Sequence, residues 1–108
     1  MIQSSAPAAE PRQRQRINLE VTFIADGQTG SGRAVDLSTG GIGIAGTSRM
    51  LTVGTELDLT LRLPNSATQE SLNLRGMVCY HSASRFGVRF VNLTFKDEKI
   101  ILGILANR

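Results

Sequence analysis

The stretch INLEVTFIADG, residues 17–27, indicates a β fold. Apolar and polar residues alternate up to Phe23, which is the period of a strand that buries one face. Asp26 and Gly27 follow, and both residue types tolerate the positive φ angles of a tight two-residue turn. The stretch therefore predicts a strand and a hairpin turn, with a partner strand from about Ser31 to Leu37.

Four further strands are predicted downstream. The turns between them are indicated by the glycines of DLSTGGIGIAG (residues 36–46), by Pro64–Asn65 and by Ser82–Arg85. Gly76 lies within one strand and indicates a bulge or a close backbone approach. The residues expected on the inner faces are Ile17, Leu19, Val21, Phe23, Ile42, Ile44, Leu57, Leu59, Leu61, Leu63, Leu72, Leu74, Val78, Tyr80, Phe86, Val88 and Phe90. Six short strands favour a small barrel or a sandwich.

The end of the chain predicts one amphipathic helix, about residues 95–106. Thr94 can cap it, and Asp97 stands where a capping-box carboxylate would. The residues Ile100, Ile101, Ile104 and Leu105 recur at helical spacing. This helix would close or flank the strands. We expect residues 1–11 to form a flexible lead-in and residues 12–108 to form a single domain.

The composition describes a small folded domain and excludes several functions. The chain has 108 residues, is 41% hydrophobic and has a net charge of +3. Cys79 and His81 are the only residues of their types, too few for a zinc site. There is no nucleophile motif or acid/base pair, so we expect neither an enzyme nor a cofactor. Without a long apolar run or signal peptide, a cytoplasmic protein without membrane insertion is expected.

Three arginines, Arg12, Arg14 and Arg16, alternate with glutamines just before the first strand. A planar guanidinium binds phosphate through two hydrogen bonds, donates to the O6 and N7 edge of guanine, and stacks on bases. The alternative is a solvated tail that only keeps the protein soluble. No apolar residue anchors residues 4–16, so this arm is expected to be mobile until a ligand holds it.

The stretch DLSTGG, residues 36–41, is unusual for a strand end. The Asp36 carboxylate can accept two parallel hydrogen bonds, which matches the N1–H and the exocyclic amine of guanine. Ser38 can donate or accept beside it, while Gly40 and Gly41 expose N–H groups and permit positive φ. The alternative is a glycine-rich turn in which Asp36 and Ser38 cap their own backbone. Together with the arginines, however, these groups are what a guanine dinucleotide requires.

The two stretches resemble the signature of PilZ domains, the bacterial receptors for cyclic di-GMP. Arg12 and Arg16 give R-x-x-x-R, and Asp36, Ser38 and Gly41 give [D/N]-x-S-x-x-G about twenty residues later. RFGVRFVNL, residues 85–93, is similar to the closing strand of that family. The resemblance implies a six-stranded antiparallel β-barrel with a C-terminal helix.

The resemblance also implies a function. Cyclic di-GMP would bind to Arg12, Arg16, Asp36, Ser38 and Gly41, with Arg14, Gly40 and Arg33 as secondary candidates. Binding would order the arginine arm and change the surface that a downstream protein partner meets. Some family members have another arginine at the position of Pro11, where it helps to hold a second nucleotide. One bound molecule is therefore favoured, although Arg14 is a candidate substitute.

Two other non-enzymatic functions are compatible with a small barrel. A barrel that binds single-stranded nucleic acid would need exposed aromatic residues for base stacking, and this chain has no Trp and one Tyr. We therefore expect no nucleic-acid partner. A ligand-free adaptor would not need either motif. Arg75, Arg85 and Arg89 are compatible with either a solvent-facing position or a ligand contact, and the sequence does not assign them a role.

Overall fold

The computed structural model describes residues 14–63 and 71–106. The predicted lead-in, Arg12 and the Pro64–Asn65 turn lie outside these ranges, and the domain boundaries stay a prediction. The elements within the ranges are β1 (Gln15–Ala25), β2 (Gln28–Leu37), β3 (Gly41–Ala45), β4 (Glu56–Arg62), β5 (Ser71–His81), β6 (Arg85–Phe90) and α1 (Phe95–Ala106).

The six strands form a closed barrel in the order β1-β2-β3-β6-β5-β4. All neighbouring pairs are antiparallel, and residues 21–24 of β1 pair with residues 58–61 of β4 to close it. The predicted six-stranded antiparallel barrel with a C-terminal helix is confirmed.

The first hairpin has the predicted two-residue turn. Asp26 and Gly27 adopt φ angles of 55° and 75°, and the flanking residues Ala25 and Gln28 are register partners. Because the turn uses only two residues, β2 begins at Gln28 and not near Ser31.

The barrel includes part of the arginine arm. β1 begins at Gln15, two residues before the predicted start, and Arg16 is the register partner of Asp36. The expectation that the mobile arm extends to Arg16 is therefore wrong. Backbone pairing with β2 already holds Gln15 and Arg16, because a paired strand leaves little freedom to its φ and ψ angles.

One apolar core fills the barrel. Phe23 and Phe86 meet edge to face, with ring centroids 5.7 Å apart and planes at 84°. Most predicted inner residues are buried, while Leu19, Leu63 and Phe90 are half-buried against the core. The buried residues include Ile17, Val21, Phe23, Ile42, Ile44, Leu57, Leu59, Leu61, Leu72, Leu74, Val78, Phe86 and Val88.

Tyr80 does not belong to the inner face, contrary to the sequence-based prediction. The register between β5 and β6 shifts between Val78 and Tyr80, and this bulge turns Tyr80 outward, where it is 41% exposed. Gly76 marks a close approach, since a Cβ atom there would lie 2.3 Å from Cγ1 of Val88. The bulge, at Cys79, is thus three residues beyond the glycine that suggested one.

The helix has the predicted bounds, and its buried face joins the barrel core. The Asp97 N–H donates to Oγ1 of Thr94 at 3.0 Å, which is the expected N-cap contact. Ile101 and Leu105 are buried, and Ile100 and Ile104 pack against them at the edge of the core. Among the described residues, no helix has the length and apolar character that crossing a membrane requires.

Candidate functional site

Asp36 reaches the outer surface because β2 contains a bulge at Val35. Ala34 and Leu37 are both buried although they are three residues apart, since β2 has one more residue than β3 between Ala34 and Asp36. Strict alternation would direct Asp36 into the apolar barrel together with Ala34, where an unpaired carboxylate is costly. The bulge therefore makes this carboxylate available on the surface.

Asp36 lies in a row of register partners that crosses five strands. The row runs Arg16, Asp36, Gly43, Gly87, Tyr80, from β1 through β2, β3 and β6 to β5. We call the adjacent pair Gly43 and Gly87 the glycine strip. A Cβ atom at Gly87 would lie 2.1 Å from the ring of Tyr80, and one at Gly43 would lie 2.8 Å from Oδ2 of Asp36. The strip therefore lets side chains lie flat against the barrel wall.

Two arginines approach the Asp36 carboxylate from distant parts of the chain. Nη1 of Arg14 donates to Oδ1, and Nη2 of Arg85 donates to Oδ2. Nη2 of Arg85 also lies 3.5 Å from the Tyr80 hydroxyl, which can accept from it. The Asp36 carboxylate raises the pKa of Arg85 against the opposing effect of burial, and Tyr80 adds to this increase. Arg85 is therefore a permanent cation beside Asp36.

Ser38 caps its own turn, which is the alternative that the sequence left open for it. Its Oγ accepts hydrogen bonds from the N–H groups of Gly40 at 3.1 Å and Gly41 at 3.2 Å. The Ser38 N–H donates to the Gly41 carbonyl at 3.0 Å. Neither glycine adopts the positive φ that its residue type permits. The Ser38 hydroxyl proton still remains for another acceptor.

The other predicted arginines differ in their surroundings. Arg16 is exposed opposite Asp36, and its guanidinium has no hydrogen bond or ion pair within the described ranges. Arg33 is the register partner of Glu20, and its Nε donates to Oδ1 of Asn18 at 2.7 Å. The structure thus brings Arg14 and Arg16 to Asp36 and joins Arg33 to β1. Arg12 lies outside the described residues.

A family model for the PilZ domain matches residues 9–107 of this sequence. The chain belongs to the PilZ domain family. None of the curated proteins compared matches it in sequence.

Solved structures show the same fold. The Bacillus subtilis inhibitor of motility MotI/DgrA aligns with a TM-score of 0.75 and 19% identity over 93% of this chain, which spans about half of that protein (51%). The PilZ domain of CeSA from a cellulose-synthesizing bacterium aligns with a TM-score of 0.69 and 17% identity, and the alignment covers 87% of this chain and 99% of that domain. The PilZ domain of YcgR from Escherichia coli, solved with c-di-GMP, aligns with a TM-score of 0.69 and 19% identity, and the alignment covers 91% of this chain and 94% of that domain.

Part of this PilZ domain's candidate site is not predicted from the sequence. The sequence assigns no role to Arg85, its alternation predicts an inward Tyr80, and the glycine strip is not among the predicted features. Its signal is present in the sequence, because GIGIA and RFGVRF each place a glycine between inward apolar residues, where a polar outward residue is usual. Pairing these two glycines side by side requires the register of β3 and β6, which no local pattern specifies.

Two neighbouring glycines of this PilZ domain provide a matched stability test. A Cβ atom at Gly41 would lie 2.3 Å from the Val88 carbonyl oxygen, so Gly41→Ala forces two backbones apart. We expect it to lower the free energy of unfolding by about 1–3 kcal/mol. Gly40→Ala, where the nearest atom would be Oγ of Ser38 at 3.8 Å, should change it by less than about 0.5 kcal/mol. Urea denaturation measures both, and equal stability of the two variants would contradict the close packing.

Proposed function

We propose that this PilZ domain is a non-enzymatic receptor for cyclic di-GMP that acts in the cytoplasm. The observation that carries the proposal is the outward Asp36 carboxylate, which lies between the exposed Arg16 and the glycine strip. Guanine has two adjacent donors that match a carboxylate, and a surface without Cβ atoms admits a flat base. The related YcgR domain was solved with this ligand.

All the predicted residues except Arg33 have a part in the proposed complex. Asp36 accepts from the Watson–Crick edge of one guanine. Arg12 and Arg16 bind phosphate oxygens or the O6 and N7 edge, with Arg14 as a further donor. The turn formed by Ser38, Gly40 and Gly41 lies next to Asp36 in sequence and supplies small groups that do not obstruct the ligand. Arg33 is not included, because its guanidinium already binds Asn18.

Isothermal titration calorimetry tests the proposal. The protein is titrated with cyclic di-GMP, and with cyclic di-AMP, GMP and a short oligonucleotide as controls. Adenine presents an acceptor at N1 and lacks the 2-amino group, so it should be rejected by the Asp36 carboxylate, while GMP lacks the second guanine. Saturable binding of cyclic di-GMP alone supports the proposal. Preference for the oligonucleotide, or no heat with any ligand, contradicts it.

We also propose that cyclic di-GMP orders the arm at Arg12 and thereby alters a surface that a downstream protein partner recognises. Backbone relaxation by NMR should show low order parameters before Arg14 in the free protein and higher values from about residue 12 at saturation. The free energy gained from charge-assisted contacts must exceed the entropic cost of ordering the arm. Residues 57–61 in β4 serve as an internal control and should barely change. An arm that is rigid before the ligand is added, or mobile after saturation, contradicts this mechanism.

A further inference from the structure

The two oxygens of the Asp36 carboxylate are both bound to arginine in the structure. Arg14 binds Oδ1 and Arg85 binds Oδ2. A Cβ atom at Gly43 would lie 2.6 Å from Nη2 of Arg85, so the Arg85 guanidinium lies over Gly43, one of the two glycines of the strip. Arg85 therefore covers both groups to which the proposed guanine would bind, the acceptor and the flat surface beside it.

We infer that Arg85 competes with the ligand for Asp36 and sets the affinity of the receptor. The inference rests on the proposed function, because the ligand is cyclic di-GMP. For guanine to reach Asp36, the Arg85 side chain must break its hydrogen bond to Oδ2 of Asp36 and move away from Gly43. The free energy of the Arg85–Asp36 pair is then subtracted from the free energy of binding.

The contacts of Arg85 make this displacement feasible. The side chain is 35% exposed and that of Asp36 is 14% exposed, so solvent screens the ion pair only in part. Nε of Arg85 is buried and has no hydrogen-bond partner among the described residues. A buried donor without a partner costs free energy, so it destabilises this conformation of the side chain. Arg85 is thus held by Asp36 and by a long hydrogen bond of 3.5 Å to the Tyr80 hydroxyl. When the side chain leaves, its Nε–H can bind water.

Arg14 is not an equivalent competitor. It lies just before β1, in the arm that contains the other ligand-binding arginines, and its side chain is 46% exposed. Arg85 begins β6 and is the register partner of Ala45 on β3, so its backbone cannot move with the arm. Arg85, and not Arg14, must give up its position over Gly43 when the base arrives.

Calorimetry with Arg85→Met tests the inference. Methionine keeps an unbranched apolar chain beside Tyr80 but cannot pair with Asp36. We expect the variant to bind cyclic di-GMP about fivefold to thirtyfold more tightly than the unmodified protein, which is what loss of a partly exposed charged pair would give. The matched control is Arg75→Met, which removes an arginine whose carboxylate partners are Glu56 and Asp58. The affinity of this control variant for cyclic di-GMP should be within about twofold of that of the unmodified protein.

The outcomes separate this inference from the proposed function. If the unmodified protein binds cyclic di-GMP and Arg85→Met binds equally or more weakly, only the competition is overturned. If neither binds, the proposed function fails and the competition fails with it. Binding by Arg85→Met alone would support the competition for Asp36 and contradict the proposed receptor function of the unmodified protein.

A second measurement uses the unmodified protein and does not depend on the folding of a variant. The Nε–Hε NMR signal of Arg85 should move toward that of an exposed arginine at saturating cyclic di-GMP. A signal that stays unchanged would show that Arg85 remains on Asp36, which overturns the inference.

Discussion

Replacing Asp36 with alanine should weaken the binding of cyclic di-GMP at least about thirtyfold. The carboxylate is the charged acceptor proposed for the two donors of guanine, and hydrogen bonds to a charged group contribute about 1.5–3 kcal/mol. The bulge at Val35 exposes it while the core residues on either side stay buried, so the loss should fall mainly on binding. Calorimetry with the alanine variant measures the effect.

Asp36→Asn distinguishes charge from shape at the same position. An amide keeps one acceptor and presents two donors toward the donors of guanine, so its affinity should lie between those of the parent and the alanine variant. Both variants lose the ion pairs with Arg14 and Arg85, and thermal unfolding without ligand controls for that loss. Equal binding by all three proteins would mean that Asp36 does not contact the base.

Arg16→Ala and Arg12→Ala should each weaken binding by a factor of about thirty or more. Each change removes charge-assisted hydrogen bonds to a phosphate or to the guanine edge. Arg16 is exposed and forms no ion pair within the described ranges, so its replacement should leave the barrel as stable as before. The affinity is measured by calorimetry and the stability by urea denaturation.

Arg75→Ala is the control for these two variants, because it removes the same charge from the outer surface between β4 and β5. A loss of affinity as large as that of Arg16→Ala would indicate a general attraction to positive charge. Parent-like binding by both arm variants would reduce the arginines to a solvated tail.

Elements specified by local chemistry were predictable from the sequence. The Asp26–Gly27 turn needs only two residues that accept positive φ, and both have it. The helix starts where Thr94 caps it and ends within the predicted range, because capping and periodicity are local properties. The alternating leucines of β4 are inward as expected, since period 2 holds wherever a strand has no bulge.

What could not be predicted depends on contacts between distant residues. Alternation predicts an inward Tyr80, because the bulge that turns this side chain outward is visible only in the register with β6. Arg85 is 49 positions from Asp36 in sequence, and their contact depends on the order of the strands around the barrel. The chemistry of Asp36 and of the arginines in the arm identifies them as candidates. The same chemistry does not identify Arg85 as the competing cation, because nothing in the sequence distinguishes it from the other arginines of the strands.

The row from Arg16 to Tyr80 would couple the proposed recognition of cyclic di-GMP to the folding reaction. Its members come from five strands, and no short peptide contains more than a fraction of them. A ligand that needs Arg16, Asp36 and the glycine strip together binds the native state and not the unfolded chain. At a hundred times its dissociation constant it would add about 2.7 kcal/mol to the unfolding free energy. A partly translated or proteolytically cut chain would therefore be unresponsive to the messenger, and saturated receptors would be those that resist degradation longest.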